Sequence, residues 1–301
     1  MTSIITRSAA TLSLLTVALA VSSAPVDAAG ADVVTGVSAA DRAAALSYWT
    51  PERMAALGSE GHLAPAETIG KVWDAPVPPG VGRLFLTLVP GGDASCTATV
   101  VPSSSKDVAL TAGHCVNGGL DRRDNPIKVT NVVFVPGYHD GERPHGVFPV
   151  RAFAWPDTYH GPTSALDDDA VIAVDPVDGG HVAEVAGTQD ISFEAPPSPV
   201  GTTLLGYPVS RLARGEALVS CVLPATLRTN SVYSSWRSDC DMAGGSSGGP
   251  WLRDLDPATG RGTVFSVTSM GTVNGDGVTE NLSGAAFTDA VRDLYQRAGD
   301  L

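Results

Sequence analysis

Gly244-Gly245-Ser246-Ser247-Gly248-Gly249-Pro250 is the stretch on which the reading of this chain turns. Four glycines and two serines before a proline make a loop whose backbone N–H groups can approach a substrate oxygen closely, because few side chains stand in the way. A serine hydroxyl is a weak nucleophile on its own. It needs a neutral imidazole to take its proton and a carboxylate to hold that imidazole in the right tautomer. Both are found upstream. Thr111-Ala112-Gly113-His114-Cys115 places a histidine at the end of an apolar run, and Leu166-Asp167-Asp168-Asp169-Ala170-Val171-Ile172 leads three carboxylates into another. At least one of those carboxylates is carried inward, where it needs a hydrogen-bonding partner such as an imidazole N–H.

The order His, Asp, Ser discriminates among folds. Gly245-Ser246-Ser247-Gly248-Gly249 also satisfies the elbow pattern of α/β-hydrolases, but those carry the histidine after the serine, and the last histidine here is His181. A subtilisin-type order would require an Asp motif before His114, and none comparable is present.

Around these motifs the chain reads as short apolar runs broken by turns, with 33 Gly and 22 Pro in 301 residues. Runs at 83–89, 97–101, 108–111, 132–135, 170–174, 202–205, 217–222 and 262–270 have the spacing of an all-β barrel or sandwich. Only the end reads as an amphipathic helix, with Phe287, Val291, Leu294 and Tyr295 on one face. With 43% hydrophobic and 17% charged residues, wholesale disorder and a long coiled coil are excluded. A net charge of −13 repels phosphate backbones and anionic lipid, so no nucleic-acid partner is expected.

The N-terminus reads as an address. Arg7, the apolar or small residues 9–20 and Val26-Asp27-Ala28 form a secretory signal peptide over residues 1–28, with no later run long enough to span a bilayer and no cysteine placed for a lipid anchor. The mature chain is expected to be extracellular and monomeric. Cys96, Cys115, Cys221 and Cys240 are an even number in an exported chain, which favours two disulfides over metal ligation. Three connectivities are open. Nearest-neighbour pairing would close two short loops worth about 3 kcal/mol each. Residues 29–81 are Ala-rich, carry a helix-like patch at 39–57 and end in the stiff Asp74-Ala75-Pro76-Val77-Pro78-Pro79-Gly80, which suggests a removable prosegment and hinge.

The boxes at 111–115 and 244–250 resemble the His and Ser boxes of trypsin-like serine peptidases. Pro136-Gly137-Tyr138, Gly206-Tyr207-Pro208 and Cys240-Asp241-Met242 are similar to the secreted bacterial glutamyl endopeptidase branch. The resemblance covers roughly residues 82–295. It implies a chymotrypsin fold for residues 82–301: two six-stranded antiparallel β-barrels, about 82–190 and 191–285, and a C-terminal helix at about 286–298. It further implies a peptide substrate, Ser247 as nucleophile, His114 as general base and an oxyanion hole from the N–H groups of Gly245 and Ser247. The family pattern of Asp, any residue, Ala and two apolar residues fits Asp168, while Asp169 must face the other way by strand alternation.

Two positions depart from the family. Ser246 stands where animal enzymes carry the acid that receives a new N-terminal ammonium, so activation by that ion pair is not expected. Thr268 stands where glutamyl endopeptidases use a histidine, so a preference for Glu does not carry over. Asp241, six residues before Ser247, matches the specificity-pocket carboxylate of enzymes that cut after Arg or Lys, although an Asp in a loop also commonly bonds nearby backbone N–H groups. No cofactor or metal is implied. Asp254-Leu255-Asp256 and Asn274-Gly275-Asp276-Gly277 could hold structural calcium or serve as hairpin turns. His139, His145 and His160 match no short ligand motif, and Trp155, Trp236 and Trp251 read as core residues. The reading is therefore a secreted serine endopeptidase, the alternative being a silent protease-fold protein that binds a peptide in the same cleft.

Overall fold

The computed structural model describes Met1 and residues 32–301. The signal peptide expected at 1–28 lies outside the described residues, apart from Met1. The chain opens with β1 (Asp32–Gly36), α1 (Ala39–Tyr48), α2 (Pro51–Ala56) and β2 (Lys71–Val72). It then enters β3 (Val81–Val89), β4 (Gly92–Val100), β5 (Val108–Thr111), α3 (Gly113–Val116), β6 (Lys128–Pro136), β7 (Phe148–Pro156) and β8 (Ala170–Val174). All neighbours in the ring β7-β6-β3-β4-β5-β8 pair antiparallel, and β7 pairs back onto β8, so six strands close a barrel.

The crossover carries α4 (Val182–Ala186) and β9 (Asp190–Ile191). The second barrel is built from β10 (Val200–Gly206), β11 (Val219–Thr229), β12 (Ser234–Ser238), β13 (Pro250–Asp256), β14 (Arg261–Val273) and β15 (Thr279–Ala285). Here β10 pairs with both β13 and β11 and closes the ring. The amphipathic C-terminal run forms α5 (Asp289–Arg297), with Val291 and Leu294 buried and the Thr288 hydroxyl capping its first turn. No helix among the described residues is long and apolar enough to cross a membrane.

Closed barrels remove sheet edges and leave apolar interiors. The first is filled by Leu84, Val100, Phe134, Phe148 and Ile172, the second by Leu204, Trp236, Trp251, Phe265 and Leu282. Trp236 and Trp251 are thus core residues, while Trp155 stacks on Phe153 with ring centroids 6.2 Å apart. The barrels meet over Phe85, Tyr138 and Tyr207. Arg83 is fully buried at this junction, bonded to Glu216 of the second barrel at 3.1 Å, with its guanidinium over the Phe85 ring at 4.6 Å. The Tyr138 hydroxyl donates to the same Glu216 at 2.8 Å. A buried cation needs such partners, because desolvation alone would disfavour its charge.

The segment read from sequence as a prosegment is woven into both barrels from Asp32 onward. β1 adds a strand to β7 over five register pairs, and β2 adds one to β11. The helix-like patch at 39–57 forms as two helices broken at Trp49-Thr50-Pro51, since Thr50 caps α2 and Pro51 suits a first helical position. Trp49 and Met54 are buried in the core, and the Trp49 indole donates to the Asn131 carbonyl oxygen at 2.5 Å. Packing therefore extends well before residue 81.

Candidate active site

Strand register assembles the site. β5 ends with Thr111 opposite Ala170, the first residue of β8, so the turn after β5 lies beside the residues that precede β8. His114 on the short α3 and Asp168 meet there. The Asp168 carboxylate accepts from the His114 backbone N–H at 2.8 Å and lies 2.9 Å from its Nδ1. It accepts a third bond from the Ser269 hydroxyl at 2.6 Å. Asp168 is buried at 2% exposure, whereas the His114 side chain keeps 22%, an orientation that holds one ring nitrogen and leaves the other for solvent or substrate.

Asp169 faces away, fully buried with neither carboxylate oxygen hydrogen-bonded. Burial, reinforced by the charges of Asp168 and Asp167, raises its pKa well above the usual carboxylate value. Asp167 accepts from the hydroxyls of Thr158 and Thr288. Of the three acids, only Asp168 touches His114.

The Ser247 loop precedes β13, whose Pro250 pairs with Val267 of β14. That register lays Gly248 and Gly249 against Thr268: Gly248 N–H donates to the Thr268 carbonyl oxygen at 2.8 Å, and Thr268 N–H to that of Gly249 at 2.9 Å. The next residue on β14 is Ser269, which reaches Asp168, so one strand braces both the serine loop and that carboxylate. Gly248 holds φ at 76°, and a Cβ there would lie 2.2 Å from Thr111 Oγ1, so only glycine lets the loop approach the strand that carries His114. Thr97 ties the same parts from β4. Its N–H donates to the Ser247 carbonyl oxygen at 2.7 Å and its hydroxyl to that of Gly245 at 2.9 Å.

Ser247 is partly exposed while Ser246 is buried, with its hydroxyl turned back to the Ala243 carbonyl oxygen at 2.8 Å. Ser246, Gly248 and Gly249 spend their N–H groups on Ala243, Thr268 and Ser246. Those of Gly245 and Ser247 make no such bond among the described residues. Gly245, with φ at 99°, turns its amide in a conformation that L side chains rarely adopt. Two free amides beside a serine are the donors an oxyanion requires.

Both disulfides take the nearest-neighbour pairing, Cys96–Cys115 and Cys221–Cys240. The first fixes β4 to the residue after His114. Among the described residues the one group of potential metal ligands within reach of each other is Cys96, His114 and Cys115, whose sulfurs are committed to the disulfide. Asp254 pairs with Arg253 at 2.9 Å, Asp256 accepts from Ala258 and Thr259, and the Asn274 side chain accepts from Asp276 and Val278. These oxygens close their own turns. His139 leans on the Gly137 carbonyl oxygen at 2.9 Å in the loop after β6.

A cavity of about 160 Å³ opens beside Ser247, walled by Met242, Ala243, Thr268, Met270, Thr279 and Leu282 among others, with no charged residue in its lining. Thr268 is there, its hydroxyl accepting from the Trp251 indole at 2.9 Å. Asp241 is not. Its carboxylate turns to the N-terminal segment and accepts from the backbone N–H groups of Thr68, Ile69 and Gly70 and from the Thr68 hydroxyl. The expected pocket charge is a clamp on a strap, a partner that lies 171 to 173 residues away in sequence. Burial works against the Asp241 charge, but the amides of Ile69, Gly70 and Thr68 outweigh it and lower its pKa.

A depressed folded-state pKa contributes stability that is present above the ordinary carboxylate value and is lost as pH falls through the folded one. Asp241→Asn should therefore cost about 1–3 kcal/mol at neutral pH. It should also flatten the fall of the melting temperature below about pH 4. A pH series of thermal melts on both proteins measures this. Ser269 and Thr97 were not singled out in the sequence, where isolated hydroxyls on strands carry no signal. Only the register places them on Asp168 and the serine loop.

Asp168→Asn should lower kcat by about 10⁴-fold with the fold retained, because an amide in place of the carboxylate stabilises the wrong imidazole tautomer. Steady-state kinetics beside a thermal melt measures both.

No protein-family model matches the chain, and no curated protein matches it. Solved structures do. The protease Anisep from Arthrobacter nicotinovorans aligns over 77% of this chain and 100% of its own, at 28% identity and a TM-score of 0.64. The thermostable serine protease AL20 from an extremophilic microorganism aligns over 74% and 98%, at 27% identity and a TM-score of 0.65. A Glu endopeptidase aligns over 79% and 100% at 18% identity and a TM-score of 0.59, a likeness of fold.

Proposed function

The chain is a chymotrypsin-fold serine endopeptidase, and we propose that it is exported and hydrolyses peptide bonds through an acyl-enzyme on Ser247. The observation that carries this reading is the Asp168 carboxylate gripping His114 by both backbone and ring at 2.8 and 2.9 Å, beside a serine loop with two uncommitted amides. His114 takes the Ser247 proton as the hydroxyl oxygen attacks the scissile carbonyl. The tetrahedral oxyanion forms against the N–H groups of Gly245 and Ser247. Collapse breaks the C–N bond, and the imidazolium returns the proton to the leaving amine. Water then repeats the sequence on the ester, with His114 again as base, and frees Ser247. The Asp168 carboxylate, held by Ser269, orients the ring and stabilises the imidazolium.

The pocket selects the residue before the cut. Its uncharged lining of modest volume suits a medium-sized uncharged side chain, and with Asp241 facing the strap and Thr268 in place of a histidine neither a basic nor an acidic residue finds a partner there. Residues 32–80 are read as a retained part of the enzyme, since both sheets include them. The two disulfides and the signal-like N-terminus support export.

The purified chain should release peptides from a denatured protein substrate, and on peptides that differ only before the cut it should favour Leu or Met over Arg and Glu. A folded chain that binds such peptides and cuts none would be a silent binder instead.

A further inference from the structure

A cavity of about 880 Å³ lies between α2 and the β3–β4 hairpin, with Glu52, Arg53 and Ala56 on one wall, Asp93 and Ser95 on the other, and Val209 at its end. We propose that it binds the part of a peptide substrate that follows the scissile bond, and that Glu52 makes it favour a basic residue there. The proposal rests on the serine-peptidase reading and assigns that site a subsite built by the N-terminal segment.

Two lining residues, Ser95 and Val209, connect the cavity to the serine loop. Ser95 precedes Cys96 and Thr97, and Thr97 grips Gly245 and Ser247. Val209 N–H donates to the Gly244 carbonyl oxygen at 2.7 Å. The small pocket is lined by Ser247 together with Thr268–Met270 and shares no residue with this cavity. A peptide whose side chain fills that pocket and whose carbonyl oxygen meets Gly245 and Ser247 N–H must continue away from it, past the Cys96–Cys115 disulfide towards Ser95 and Val209. That path leads into the cavity.

The far wall is preformed. Arg53 bonds Asp93 at 2.9 Å with its guanidinium 3.9 Å above the Tyr48 ring, and Tyr48 and Thr87 donate to the same carboxylate at 2.7 and 2.8 Å. Those bonds hold α2 against the hairpin and neutralise Asp93. Glu52 is exposed and in no ion pair among the described residues; Arg143, which is not on the lining, attracts its charge from outside, and the lining itself carries Glu52 beyond the paired Arg53 and Asp93, one formal negative charge.

The test uses the full secreted chain and quenched fluorescent peptides identical up to the cut, with Lys, Ala or Glu at the second and third positions after it, beside a nitroanilide that ends at the cut. The expected order of kcat/KM is Lys above Ala above Glu, in steps of about two- to fivefold as for an exposed charge pair. Glu52→Lys should invert that order. Ala56→Trp, which fills the cavity, should lower the ratio of extended-peptide to nitroanilide kcat/KM. Nitroanilide turnover with no order among the peptides, or an order that survives Glu52→Lys, overturns the groove alone. No turnover of any substrate overturns the serine-peptidase reading and the groove with it.

Discussion

Ser247→Ala is expected to lower kcat by about 10⁶-fold with the melting temperature within a few degrees of the parent. The variant loses only the hydroxyl. The structural bonds of this residue are made by its backbone, whose carbonyl oxygen accepts from Thr97 N–H at 2.7 Å and whose own N–H stays free for an oxyanion. The side chain is partly exposed, so its removal opens no core cavity. Residual rate would come from the two amides and from substrate binding, which remain. Peptide affinity should persist, because the uncharged pocket is lined mainly by other residues. Ser246→Ala provides the contrast: it breaks a buried bond to Ala243 at 2.8 Å and should cost stability, about 1 kcal/mol, before it costs chemistry. Kinetics and thermal melts on both variants separate the two serines.

A chain that starts at Val81 should fail to fold, whereas one that starts at Gly30 should fold and cut. The short form loses Trp49 and Met54 from the core, and truncating a single buried side chain of that size costs about 2–5 kcal/mol. It strips the added strands from β7 and β11. It also leaves the Asp241 carboxylate with four bonds unmade and takes Glu67 from Ser210, to which that carboxylate is bonded at 2.6 Å. Losses on that scale are large beside the 5–15 kcal/mol that hold a typical domain together. Circular dichroism and limited proteolysis of both forms measure it, and a folded, active chain from Val81 would contradict the account.

The same residues show what the sequence made legible. His114 and Ser247 were visible because each sits in a local motif whose neighbours constrain it: an apolar strand and a cysteine for one, glycines for the other. Asp168 was legible through its fit to the family pattern; alternation added only that Asp168 and Asp169 face apart, and the structure turns Asp169 away from His114. Short apolar runs between turns read as an all-β barrel or sandwich, and the two barrels came only with the family resemblance. Asp241 was legible as a carboxylate near the site but not as a clamp, because its partners are backbone amides of residues 68–70 and amides leave no mark in a sequence. The helices at 39–48 and 51–56 were legible as helix, yet their docking was not. An Ala-rich surface and a Pro-rich hinge carry no mark of docking, which lies in Trp49, Met54 and Tyr48 finding partners on β3, β4 and β6.

The central claim is that Ser247 is a nucleophile activated by His114 and Asp168. Intact mass spectrometry of the purified full-length chain after treatment with a serine-directed phosphonylating reagent tests it most directly. The account predicts one adduct per chain, mapped to the peptide containing Ser247 and absent from Ser247→Ala. A folded chain that takes up no reagent, or that carries the adduct on another serine, would contradict it.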